Sequence, residues 1–449
     1  MLNRIIRYAS LLFAAVMLIS CGKEGGVTKK TLEISVDKKF VQTFGGDYIN
    51  LTVTLGGEKI TQDVTFFDEN DEVLLVDDFK YMTEVPGEHE ISAAYGTYFS
   101  EPVKVTAIAV AIPETPKDEH PERTDFRPRV LLTQFTTTGC TWCPSMKHVL
   151  KNALNDSYAD KVVKVDCHAS TMNRNDPAYV DLKDFEEQCK GLLPSVNLDL
   201  AETTGYLQGM TGADMQGFID GWFEFKADNA AGIAVNSVAT DDQIVAKVSV
   251  KAAQTGNYRV GLMLLEDNIV ATSSQTQLGS GAEDWMNTHN SCVRYMDARD
   301  GKYYYGHQLG QIAKGESEDY VFILDLESIW DRGSLKAEQN GCTWSPRWVN
   351  EELHLAVFVT TSAAVDKNEI LYVSNVIDCP INGVTPFEYR LSITAALLRR
   401  RIEGSLGSQG FLCCLWQWLF LSHLCSEARP VQSWTGRLSL PTCVRVRRH

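Results

Sequence analysis

Two cysteines stand three positions apart in Cys140-Thr141-Trp142-Cys143, and Pro144 follows them. Such a pair closes a small disulfide only under a tight local geometry, which the start of a helix supplies. A helix N-terminus carries unpaired backbone N–H groups and a partial positive charge. Both stabilise a thiolate and lower its pKa. Cys140 is therefore the expected nucleophile and the more exposed of the two; Cys143, one turn inside, is the expected resolving thiol. Pro144 suits a first helical turn, where its missing N–H would be unpaired anyway. Lys147 and His148, one turn further on, add positive charge that favours the thiolate. The chemistry on offer is thiol–disulfide exchange. A second reading makes the pair a permanent structural disulfide in a binding protein. A third draws Cys140, Cys143, Cys167, His168 and Cys189 into a metal site. Zinc needs four converging ligands, and an oxidising compartment favours disulfides over metal thiolates, so neither a metal nor another cofactor is expected.

The surrounding pattern predicts the elements that hold the pair. Val130 to Phe135 reads as a buried strand and Thr136 to Gly139 as a loop. Ser145 to Leu154 has helical spacing, with Met146, Val149, Leu150 and Ala153 on one face. Val162 to Asp166 is a second strand, and Asp176-Pro177 starts a second helix running to about Cys189. A third strand, Gly191 to Leu198, is entered through Pro194. Alternating strands and helices predict an α/β unit over residues 129–227 with some parallel pairing. On either side the pattern has period two. Residues 31–110 read as a small β-sandwich of immunoglobulin-like size, from alternations such as Ile49, Leu51, Val53 and Leu55. Within it Asp68 to Glu72 lacks a full calcium-loop pattern and reads as a solvated turn. Residues 111–128, with Pro113, Pro116, Pro121 and Pro128, read as a stiff linker. Residues 228–390 read as a second sandwich, interrupted at about 277–311 by a long excursion containing Trp285, His289, Tyr303, Tyr304, Tyr305 and His307. Those aromatics are expected to pack the loop onto the sheet, the alternative being a binding surface.

The stretch from Phe135 to Pro144, strand then loop then C-x-x-C then helix, resembles the active-site segment of the thioredoxin fold. Gly191-Leu192-Leu193-Pro194-Ser195-Val196 resembles that fold's second landmark, a proline with a cis peptide bond beside the cysteines. The resemblance implies Cys140, Cys143 and Pro194 as the catalytic set, with the proline loop offering a backbone edge to a substrate peptide. Two departures stand out. Thr141-Trp142 replaces the usual central dipeptide, which helps to tune the reduction potential, and Gln134 stands near where thioredoxins bury a carboxylate. Over most of Cys21 to Arg390 the chain resembles the outer-membrane-protein-28-related lipoproteins of Gram-negative bacteria. That resemblance implies a lipid-anchored outer-membrane protein, periplasmic or surface-exposed, but no established reaction. Its protein partners are either thiol–disulfide substrates or, for an adhesin or binding lipoprotein, surface proteins.

The remaining cysteines and the two ends complete the reading. Cys167 and Cys189 are placed to brace the α/β unit as a second disulfide or to lie there as two inert thiols. Cys292 and Cys342 are a further pairing option, and Cys379 has no assigned partner. Arg4 and Arg7, an apolar run from Leu11 to Ile19, and Leu18-Ile19-Ser20-Cys21 describe a secretory signal over 1–20. The leucine three positions before the cysteine resembles a lipobox, implying that Cys21 is lipidated, with residues 21–30 as a tether. The formal net charge of -16 disfavours nucleic acid as a partner. After Arg390 the composition breaks. Residues 391–449 have no Lys, Asp, Asn or Tyr, and eight arginines stand against two glutamates. With neither strand alternation nor a helical stripe, this tail reads as frameshifted or read-through translation appended to a domain that ends near Arg390, the alternative being a membrane-associating or partner-binding segment.

Overall fold

The computed structural model describes residues 30–344, 348–365 and 368–390. The chain divides into two units, Met1–Tyr389 and Arg390–His449. The expected signal segment, Cys21, nearly all of the expected tether and the 391–449 tail lie outside the described residues. Among the described residues no helix is long and apolar enough to cross a membrane.

Strands dominate. Near the N-terminus, Leu32–Val36, Ile49–Leu55 and Glu58–Ile60 build one sheet, and Phe40–Gln42, Val103–Ile108, Gly87–Tyr95, Thr65–Phe67 and Val73–Leu74 build a second. Alternate side chains turn inward, as period two requires. Leu51, Val53, Ile91, Ala93, Val105 and Ala107 thereby meet in one core. Asp68 to Glu72 is a turn closed on itself, the Asp68 carboxylate accepting from the N–H groups of Asn70 and Glu72 at 2.9 and 2.8 Å.

A nine-stranded sheet carries the rest. Its path runs Glu202–Gly205, Ser195–Leu198, Val130–Phe135, Val162–Cys167, Cys292–Asp297, Gly256–Glu266, Leu353–Val365, Asn368–Pro380, and the ninth strand, His307–Ile312, pairs with Gly256–Glu266 off this path. The sheet crosses the boundary drawn at 227/228, because Val162–Cys167 meets Cys292–Asp297 in parallel at Asp166 and Cys292. A four-stranded sheet, Ser317–Asp325, Gln243–Lys251, Gly232–Ala239 and Gly383–Thr385, packs over its C-terminal half. Tyr258, Val260, Leu262 and Leu264 face that second sheet, while Met263 and Leu265 face the opposite core with Phe135, Cys167 and Phe185. A strand buried on both faces has no polar side, which explains the unbroken apolar run at 260–265.

The proline-rich segment 111–128 is not a bare spacer but lies along the sandwich. The Lys251 ammonium reaches the Asp118 carboxylate and the Pro121 carbonyl, each at 2.7 Å, and Asn236 donates to the Glu114 carbonyl at 2.8 Å. The helix expected from Asp176 is shorter, Lys183–Gln188. The Asp176 carboxylate accepts the Ala178 N–H at 3.0 Å, and Val180 N–H donates to His168 O at 3.1 Å, so the chain there is tied into turns.

Candidate functional site

The site is set where the fully buried strand Val130–Phe135 ends. Thr136 N–H bonds the Cys167 carbonyl on the parallel neighbour, and Cys140 N–H bonds the Thr137 carbonyl, both at 3.1 Å, so the loop folds back tightly. The helix Cys143–Ala153 begins at the second cysteine with Pro144 in its first turn. Met146, Val149, Leu150 and Ala153 form its packed face, as their spacing predicts, against Met215 and Ile219 of the helix Gly212–Lys226. A capping box between Thr211 and Asp214 starts that second helix.

Cys140 and Cys143 form a disulfide, with Cα atoms 5.4 Å apart. No side-chain oxygen caps the helix; the Cys143 N–H instead donates to Cys140 Sγ at 3.1 Å. The Leu193–Pro194 bond is cis. The strand after it, Ser195–Leu198, pairs antiparallel with Val130–Phe135, Phe135 opposite Ser195. The Pro194 carbonyl is taken by Tyr206 N–H at 3.1 Å, and the Tyr206 ring stacks on Trp142, itself 60% exposed. The structure thus gathers the pair, the cis proline and an exposed tryptophan at one end of the sheet.

Cys140 departs from expectation. It is only 3% exposed, scarcely more than Cys143. The start of the 277–311 excursion is bonded to the cysteine loop. The Gln277 amide donates to the Cys140 and Thr138 carbonyls at 3.0 and 3.3 Å, and Leu278 N–H donates to Thr138 O at 2.8 Å. Gly279 follows with φ +110°, so close that a Cβ would lie 2.1 Å from the Thr141 carbonyl oxygen. The excursion is therefore a strap over the cysteine loop as well as a cover for the sheet. Lys147 and His148 serve the strap rather than the thiols, donating to Met286 O at 3.3 Å and pairing with Gly281 O at 3.0 Å.

Beneath the loop lies a buried polar group whose members are scattered through the sequence. The Asp176 carboxylate accepts from Thr137 Oγ1 at 2.7 Å, Thr138 N–H at 2.8 Å and His168 Nδ1 at 3.0 Å. Burial raises the Asp176 pKa, but the adjoining His168 and these donors together hold it well below the usual carboxylate range. His289, from the strap, sets its ring edge-on to His168 at 5.0 Å. Burial first, then His168 and Lys147, keep His289 well below its ordinary 6.5. An Asp-Pro dipeptide signals a turn, and nothing in it marks the carboxylate as buried.

The bracing disulfide between Cys167 and Cys189 is not formed, and both are unbonded thiols. They lie in one apolar core with Phe135, Val165 and Phe185, where cysteine packs as a small hydrophobe. Burial pushes both thiols far up. Cys292, Cys342 and Cys379 are likewise unbonded and buried. The five residues weighed as metal ligands are not brought together as such, since Cys140 and Cys143 hold each other and His168 holds Asp176. Gln134, the departure from the buried carboxylate of thioredoxins, is itself buried, its Nε2 without a partner.

No family model matches this chain, and no curated protein matches it. Among solved structures it is similar to HBP35 of Porphyromonas gingivalis, at 14% identity over 60% of this chain and 80% of that one, with a TM-score of 0.42. It is also similar to a DUF3823 family protein from Bacteroides ovatus ATCC 8483, at 7% identity over 78% of this chain and 100% of that one, with a TM-score of 0.15. Likenesses this slight carry neither fold nor function across.

Proposed function

We propose that this protein is an outer-membrane lipoprotein, anchored through Cys21, whose thioredoxin-like unit exchanges thiols and disulfides through Cys140 and Cys143. The observation that carries the reading is the Cys143 N–H aimed at Cys140 Sγ from a helix start, at 3.1 Å. A sulfur there meets the unpaired donors of the first turn, which stabilise it as a thiolate. In the oxidising direction a partner thiolate attacks Cys140 Sγ, the S–S bond breaks, and Cys143 leaves as a thiolate that takes up a proton. A second partner thiolate then attacks the partner sulfur of the mixed disulfide. Cys140 is released as a thiolate, the partner gains a disulfide, and this protein is reduced by two electrons. Trp142 and the proline loop supply the surface on which a partner peptide rests.

The second reading, a binding lipoprotein with a structural disulfide, is favoured by the burial of Cys140, whose carbonyl Gln277 holds. Titration against glutathione and dithiothreitol buffers, with thiols mapped by alkylation and mass spectrometry, separates the two. Exchange at a potential between about -120 and -270 mV supports the redox reading. A pair still oxidised below about -300 mV makes it a structural staple.

A further inference from the structure

We propose that the cavity between the helix Cys143–Ala153 and the strap segment around Trp285 to Asn290 binds a small amphiphilic anion: a single carboxylate or sulfonate head on an apolar, ring-sized body. The cavity has a volume of 390 Å³, within the roughly 300–1,000 Å³ range of small-molecule sites. Redox activity of the cysteines is not needed for it.

Charge points to the sign of the ligand. The chain carries -16 overall, yet three lysines, Lys147, Lys151 and Lys164, line this cavity against one carboxylate, Asp166. Lys164 pairs with Asp166, which leaves two ammonium groups in excess. Lys147 is only 8% exposed, and its Nζ donates to a carbonyl, Met286 O, rather than to an acid. Burying an ammonium is costly; Asp166, the carboxylate that acts on it most, is already paired with Lys164, and an anionic head placed there would add a second counter-charge.

Two further groups mark the same space as polar and incomplete. Gln134 and His289 both line it, both are at least 98% buried, and each has an Nε2 atom without a hydrogen-bond partner. Buried polar atoms are normally satisfied. The Gln134 amide N–H can donate to a carboxylate or sulfonate oxygen, and so can His289 in the tautomer protonated at Nε2. The rest of the lining sets the body of the ligand. Leu150, Leu154 and Met286 are apolar, and the Trp285 indole stands at the wall with the Lys151 ammonium 4.3 Å from its ring centroid.

The test uses two fluorescent probes that share an aromatic skeleton and differ in the anionic group: 8-anilino-1-naphthalenesulfonate and uncharged N-phenyl-1-naphthylamine. Each is titrated into the full chain and into the variants Lys147→Met and Lys151→Glu, with circular dichroism to check folding. Saturable binding of the sulfonate, weakened at least tenfold in each folded variant while the uncharged probe changes less than twofold, is the expected result. Lys151 is exposed, so Lys151→Glu keeps the test valid if Lys147→Met does not fold. The absence of saturable sulfonate binding, or an unchanged sulfonate affinity in either folded variant, overturns the proposal.

Discussion

Asp176 holds Thr138 from 38 positions away, its carboxylate oxygen accepting the Thr138 N–H at 2.8 Å. The same oxygen accepts the Thr137 hydroxyl at 2.7 Å, so one buried acid fixes the loop that delivers Cys140. Removing it strands buried donors, each costing about 1–3 kcal/mol. Asp176→Ala is expected to lose about 3 kcal/mol or more in urea unfolding and to speed reduction of the Cys140–Cys143 bond by dithiothreitol. A variant with unchanged stability and unchanged reduction rate would remove Asp176 from this role.

The strap makes access to the disulfide a conformational question. Gly279 has a backbone conformation that side chains rarely adopt, and it lies against the Thr141 backbone. Alanine there meets both the left-handed strain, about 1–3 kcal/mol, and the carbonyl oxygen. Gly279→Ala should therefore lift the strap locally and raise the rate of disulfide reduction at least tenfold. Alkylation followed by mass spectrometry reads this directly, and an unchanged rate means that the strap does not limit access.

Acid should loosen the same region. His289 is neutral in the folded protein, whereas the unfolded chain protonates it near 6.5. Below that pH the unfolded state binds more protons, so stability falls as pH drops, by at most about 1.4 kcal/mol per unit from this group. Asp176 acts lower down. Its depressed pKa stabilises the fold above its ordinary 3.8, and that contribution is lost as pH falls further. His354 opposes the trend: burial lowers its pKa, but Asp378 and Asp267 raise it above 6.5, so its contribution is present below that value and lost as pH rises. Comparing wild type with His289→Phe isolates the His289 part. The variant should show the smaller loss of melting temperature between pH 7 and 5, and equal losses would contradict a buried neutral ring.

What was legible in the chain was local. The apolar face of the cysteine helix, the inward sets Tyr258 to Leu264 and Leu355 to Val359, and the β-rich flanks follow from side-chain periodicity, which a sequence displays directly. What stayed hidden depends on distant chain. The Gln277 amide that holds the Cys140 carbonyl lies 137 positions away. The joining of two segments into one sheet rests on Asp166 opposite Cys292. Neither residue type signals its partner, because a glutamine or an aspartate is as common on a solvated loop. In the sequence, Cys167 and Cys189 stay open between a bridge and two inert thiols for a related reason: spacing cannot distinguish two thiols packed in one core from two thiols bonded.

The pairing of Asp199 with Lys226 joins the α/β elements to the C-terminal strands. Both side chains are fully buried, with Lys226 Nζ 2.8 and 2.9 Å from the two carboxylate oxygens and 2.9 Å from the Val373 carbonyl. Leu131 N–H completes the carboxylate at 2.8 Å, and Val373 N–H bonds the Asp199 carbonyl. Burial pushes the Asp199 pKa up to about 6 and lowers that of Lys226, so desolvation outweighs the mutual attraction on both sides. A pair in that condition adds little net stability, but either member alone is a buried charge without a partner. Lys226→Met should cost about 3–5 kcal/mol, and the double variant Asp199→Leu/Lys226→Met should recover much of that loss. Urea unfolding of the two single variants and the double closes the cycle. Additive losses in that cycle would show that the two residues act independently and that the join between the two parts of the sheet lies elsewhere.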